Sequence, residues 1–146
     1  PADPKARARA RSVCAEMHSG FGALRSHCPM NIEAALHDTG RLIWRDQAGV
    51  RADLARLSGL WGELLAAQPA TLPDGGGPLL FGSFSIADAY FAPVCMRIRT
   101  YDLPVPADLR AYVDRVAALP GVQAWVDGAL AEHDFLDFEE PYRLGR

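Results

Sequence analysis

Gly82-Ser83-Phe84-Ser85-Ile86-Ala87-Asp88 is the stretch on which the reading of this chain turns. A serine at the mouth of an apolar, helix-periodic run, followed three residues later by an acid, has the form of a capping box. The Ser85 side chain accepts from the Asp88 backbone N–H, and the Asp88 carboxylate reaches back to the Ser85 N–H, so two orphan donors are satisfied. Phe84 stands where a hydrophobic staple would close the first turn. Losing such a cap costs on the order of 1–2 kcal/mol, and more if the acid is buried. Ser85 as a nucleophile partnered by Asp88 is the competing reading, but no base is positioned beside it.

Working outward, the periodicity that starts at Ser85 continues to Tyr101, with Pro93 expected to kink the helix because it removes a donor. Upstream, Pro69 to Pro78 contains Asp74-Gly75-Gly76-Gly77 and reads as a loop. Before it, a helix is expected from about Thr39 or Asp46 to Gln68, burying Val50, Leu54, Leu57, Trp61 and Leu64. The first helix opens on Pro1, Asp3 and Pro4 and is expected to reach about Ser26, with Ala10, Cys14, Met17, Phe21 and Leu24 as its apolar stripe. On that continuous helix Arg11, His18 and Arg25, seven residues apart, share a second face with Ser19 beside them. Gly20 and Gly22 suggest a close packing approach, and Pro29 opens an irregular segment. Downstream, Ala107–Leu119 and Pro120–Glu132 read as two short helices, and residues 133–146 as irregular. Alanine supplies 24 of the 146 residues and β-branched residues are scattered, so the expectation is a single all-α domain of about five helices over 1–146.

Composition narrows the function. A net charge of -3 offers no basic field for a phosphate backbone, so neither nucleic acid nor an anionic membrane surface is an expected partner. No apolar run approaches the roughly 20 residues of a membrane span, and Lys5, Arg7, Arg9 and Arg11 have no apolar stretch behind them. Three cysteines, Cys14, Cys28 and Cys95, without C-x-x-C spacing, argue against a disulfide framework and against a metal site, and favour a reducing, cytoplasmic setting. Cys14 and Cys95 read as buried small hydrophobes, Cys28 as the exposed one, and Trp44, Trp61 and Trp125 as packing anchors. The opening Pro1 suggests a piece of a longer protein.

Ser85-Ile86-Ala87-Asp88 with Pro93 five residues after the aspartate resembles the capping box of the C-terminal helical domain of glutathione transferases. Cys14-Ala15-Glu16-Met17-His18-Ser19-Gly20-Phe21 leading to Pro29-Met30-Asn31 is similar to stretches of bacterial members, and the helix order fits along nearly the whole chain. The resemblance implies a two-domain, detoxifying enzyme. A thioredoxin-like N-terminal domain binds glutathione and supplies the catalytic residue, and the helical domain walls the site of a small hydrophobic electrophile and contributes to a homodimer, through its first two long helices packed antiparallel. The Val-Pro, strand and Glu-Ser pattern of the first domain is missing here, since Val105-Pro106 leads into a helix. The glutathione-activating apparatus, and any catalytic residue, is therefore expected outside these residues.

The resemblance also places the middle of the first helix against the acceptor cleft. On that basis Arg11, His18 and Arg25 become candidate substrate-binding residues, with a cationic character suited to anionic groups. Met17 and Phe21, core hydrophobes by spacing together with Tyr90, Phe91 and Met96, become candidate wall residues. Arg97 and Thr100 are candidates for a carboxylated acceptor, as in isomerases of the superfamily, although no arginine falls squarely at that family's position. Arg99 is adequately explained by the helix dipole. The rival readings are a non-catalytic helical interaction module and part of a glutathione-dependent isomerase or peroxidase.

Overall fold

The computed structural model describes residues 1–73, 75–133, 135–136 and 140–142. It is all-helical, as the sequence predicts. Seven helices follow in order among the described residues: α1 (Pro4–Ser19), α2 (Gly22–His27), α3 (His37–Asp46), α4 (Ala48–Ala66), α5 (Ile86–Thr100), α6 (Ala107–Ala117) and α7 (Pro120–Glu132). The expected total of about five rises to seven because two of the expected helices are each broken once. The described part of 133–146 carries no helix or strand, and Asp134, residues 137–139 and residues 143–146 lie outside the described residues.

The two breaks share one chemistry. α1 starts as expected, with Asp3 accepting from the Ala6 N–H at 2.7 Å and Pro4 at its first position. It ends at Gly20, and Phe21 takes a left-handed φ of 57° before α2 begins. The carbonyls left open at this end accept from the Arg25 guanidinium, which reaches back to Met17, His18 and Gly20 at 2.6–2.7 Å. Between α3 and α4 the chain extends at Gln47, and there Arg51 reaches back to the Trp44 and Arg45 carbonyls at 2.6 and 2.8 Å. In both cases an arginine from the following helix caps the preceding one. Gly22 therefore marks a break and no close approach, since a Cβ there would meet nothing within 4 Å, whereas at Gly20 the approach is close: a Cβ would lie 2.7 Å from the Glu16 carbonyl oxygen.

α1 and α4 run antiparallel. Arg9, early in α1, pairs with Glu63, late in α4, while Glu16, late in α1, pairs with the earlier Arg56. These exposed pairs fix register more than they stabilise. The core lies between α4, α5 and α6, where Trp61 meets Phe91 and Tyr112 edge-on at centroid distances of 5.4 and 5.0 Å. Val50, Leu54, Leu57, Trp61 and Leu64 are all buried, as the periodicity predicts, and α5 continues through Pro93 without ending. Two expectations are overturned. Cys28 is fully buried, because the 28–31 segment is clamped under the end of α5, and burial pushes its thiol pKa up to about 12. Trp125 stands 41% exposed on α7 and is no anchor. Trp44 is partly buried against the core.

The capping box forms. Ser85 N–H and Oγ donate to Asp88 Oδ2 at 2.8 and 3.0 Å, and Asp88 Oδ1 accepts from the Leu80 N–H at 3.1 Å and the Tyr112 hydroxyl at 3.2 Å. One buried carboxylate thus ties the start of α5 to the preceding loop and to α6. Gly82 turns that loop with a φ of 85°, closing reciprocal backbone bonds with Leu79.

Candidate functional site

α1 and α5 pack side by side, and between their outer edges runs a groove of about 600 Å³. From α1 come Arg7, Ala10, Arg11, Cys14, Ala15 and His18; from α5 come Ile86 and Tyr90, one turn apart; Pro1 lies at one end. Helical spacing explains the set. Positions 7, 11, 14, 15 and 18 fall on one face of a 3.6-residue helix, and 86 and 90 face it from α5. The floor is apolar, formed by buried Ala10 and Cys14, and the rim carries the exposed Arg7, Arg11 and His18. Cys14 is held as the neutral thiol: burial first, and then the charge of Asp88 beneath it, raise its pKa. The groove can therefore hold an apolar body against its floor and a polar or charged group at its rim, and it presents no thiolate nucleophile.

A second groove of about 560 Å³ opens between the start of α5 and α7, lined by Phe84, Ala92, Leu119 and Trp125 among others. Its lining residues carry no ionisable side chain, so the chemistry of orientation belongs to the α1–α5 groove.

Of the residues singled out from the sequence, the structure brings Arg11 and His18 together in this groove. Arg25 does not join them. The break at Gly20-Phe21 ends the shared face, and its guanidinium caps α1. Met17 packs against the core and Phe21 is buried in it, and neither lines the groove. Arg97 and Thr100 lie elsewhere, clamping the 28–31 backbone: Arg97 Nε donates to the Cys28 carbonyl at 2.9 Å and Thr100 Oγ1 to that of Asn31 at 2.6 Å. Tyr101 completes the clamp with a 3.0 Å bond to the Pro29 carbonyl. Burial, then repulsion from Arg25, lowers the Arg97 pKa. Ser85 and Asp88 are structural, as expected.

Two groove residues, Arg7 and Tyr90, are not among the site candidates that the sequence offers, and Tyr90 reads there as core. Arg7 lies one turn before Arg11, so extending the face upstream would have found it. Tyr90 carries no such signal, because its exposure follows from how α5 rotates against α1.

The all-helical bundle, with a capped central helix packed against the first helix, has the architecture of a known helical domain family. The family model for the glutathione S-transferase C-terminal domain matches residues 6–128, and the chain belongs to that family. Members of this family normally pair with an N-terminal thioredoxin-like domain and form dimers, and the family implies an involvement of glutathione. A comparison with curated proteins returns no match. Among the described residues no helix is long and apolar enough to cross a membrane, and no group of three or more His, Cys, Asp or Glu is arranged to hold a metal ion.

Proposed function

We propose that residues 1–146 form one domain, the acceptor-binding and dimerisation half of a cytoplasmic glutathione transferase. A thioredoxin-like domain binds glutathione and activates its thiol, and the thiolate attacks a small hydrophobic electrophile held in the α1–α5 groove. One observation carries this reading: in a member of this family, the groove joins an apolar floor at Ala10 and Cys14 to Arg11, His18 and Tyr90. In such a site the helical half contributes position. Tyr90 and the floor desolvate and orient the acceptor, and His18 lies at the rim within reach of a polar substituent.

The test is steady-state conjugation of glutathione to 1-chloro-2,4-dinitrobenzene by the protein in its longest natural form. His18→Ala and Tyr90→Ala are expected to raise the acceptor KM several-fold while the glutathione KM and the melting temperature stay put. Conjugation with acceptor kinetics unmoved by either substitution would remove the groove from the acceptor site. A dimeric protein with no conjugating activity toward any electrophile would favour an interaction module instead.

A further inference from the structure

We infer that the acceptor of the α1–α5 groove carries an anionic group, held by Arg7 and Arg11, on a flat apolar body that lies toward Tyr90. The inference rests on the groove being the acceptor site and adds the chemical class of what enters it.

Two unpaired cations one helical turn apart on the rim of a groove lined by no acid carry the argument. The chain holds 18 acids against 15 lysines and arginines, so carboxylates are not scarce. Arg9, Arg41, Arg45, Arg56 and Arg110 each have one as a partner, Arg25, Arg51, Arg97 and Arg115 bond to backbone carbonyls, and exposed Lys5 and Arg99 have no ion pair among the described residues. Arg7 and Arg11, exposed on the groove's rim, have no ion pair among the described residues, and no aspartate or glutamate lines the groove. Arg9, between them in sequence, points to the other side and is paired with Glu63 at 3.3 Å. The alternation means that the groove face of α1 keeps its cations open while the α4 face neutralises its own.

Asp88 works against an anion, since its charge is felt at Cys14 on the floor. It is fully buried, however, and both its oxygens are occupied, by the Leu80 and Ser85 N–H groups and the Ser85 and Tyr112 hydroxyls. Arg7 and Arg11 stand one helical turn apart, about 5–6 Å between Cβ atoms, which lets two guanidiniums share one carboxylate or sulfonate. His18 lies roughly 10 Å further along α1 at 1.5 Å per residue, so an acid gripped at Arg7 and Arg11 leaves the groove between them for an aromatic body. On a chain with a net charge of -3, this local field also selects where an anion settles.

Two dyes that share one aromatic scaffold and differ by a sulfonate test this: 8-anilinonaphthalene-1-sulfonate and neutral N-phenyl-1-naphthylamine, titrated by fluorescence into the 146-residue chain. At about 20 mM salt the sulfonate is expected to bind roughly tenfold tighter, and the preference to shrink as salt rises to about 500 mM. Replacing both arginines (Arg7→Ala with Arg11→Ala) should abolish most of that preference and leave the neutral dye unchanged, and Arg9→Ala should do neither. Equal binding of both dyes, with Tyr90→Ala weakening each, would overturn the anionic class and leave the acceptor site standing. If Tyr90→Ala moves neither dye and Trp125→Ala removes both, the dyes occupy the other groove and both readings fall.

Discussion

Asp88 shows how far a single residue can be read. Its place three residues after Ser85 is enough to identify a cap, because both partners are local and the geometry of a first turn is fixed. Its bonds to the Leu80 N–H and the Tyr112 hydroxyl are not legible, because those groups reach it only when the loop and α6 close over α5. The consequence is energetic. Asp88→Ala removes the cap with its half-buried Ser85 bonds and strands buried donors on Leu80 and Tyr112, so it should destabilise by about 3–5 kcal/mol, well beyond an ordinary cap. Asp88→Asn, which keeps the shape and one acceptor, should cost less than half of that. Urea unfolding with an unchanged m-value measures both, and a loss near 1 kcal/mol for Asp88→Ala would mean that the Leu80 and Tyr112 bonds contribute little.

At the scale of elements, the interrupted helices carry the lesson. Periodicity places Arg11, His18 and Arg25 on one face, and that holds only while the helix is continuous. Gly20 and a left-handed Phe21 end it, and Arg25 turns to the α1 carbonyls. Arg25→Ala should therefore open the junction locally. Amide exchange is expected to rise in residues 17–24 with little change in the global unfolding midpoint, and uniform protection would show the cap to be dispensable. α3 depends on a closer fit. A Cβ on Gly40 would lie 1.8 Å from the Tyr101 carbonyl oxygen, and the Leu36 N–H bonds to the Thr100 carbonyl at 2.7 Å beside it. Gly40→Ala must push α3 off the end of α5, at a cost of about 2–4 kcal/mol. A thermal melt within a degree of wild type would refute that packing. Nothing in the sequence near Gly40 announces this contact, which joins α3 to a residue on a distant element.

For the whole molecule, the buried thiols and phenols set a limit at high pH. Cys28, Cys95, Tyr101, Tyr112 and Tyr142 all have raised pKa values, with burial the largest cause in each. A group whose pKa is higher folded than unfolded stabilises fully below its unfolded value and loses that contribution as pH rises through the folded one. For Cys28 the window runs from its ordinary 9.0 to about 12, so stability should hold below pH 9 and fall steadily above it. Cys28→Ala should make that fall shallower; unfolding free energies at pH 8, 9.5 and 10.5 decide the point. At pH 8 the fully buried thiols of Cys28 and Cys95 should resist Ellman's reagent until denaturant is added.

The chain itself determined the helical class, the α5 cap, the buried face of α4 and the family, because each is written in residues close together or at a fixed period. Tertiary structure decided which side chains meet. It buried Cys28 under the α5 clamp, drew Arg25, Arg97 and Thr100 onto backbone carbonyls, and gathered Arg7, Arg11, His18 and Tyr90 along one groove. The physical reason is that helix periodicity fixes directions only within a helix. The rotation of one helix against another, and the points where a helix stops, depend on packing between elements far apart in the sequence.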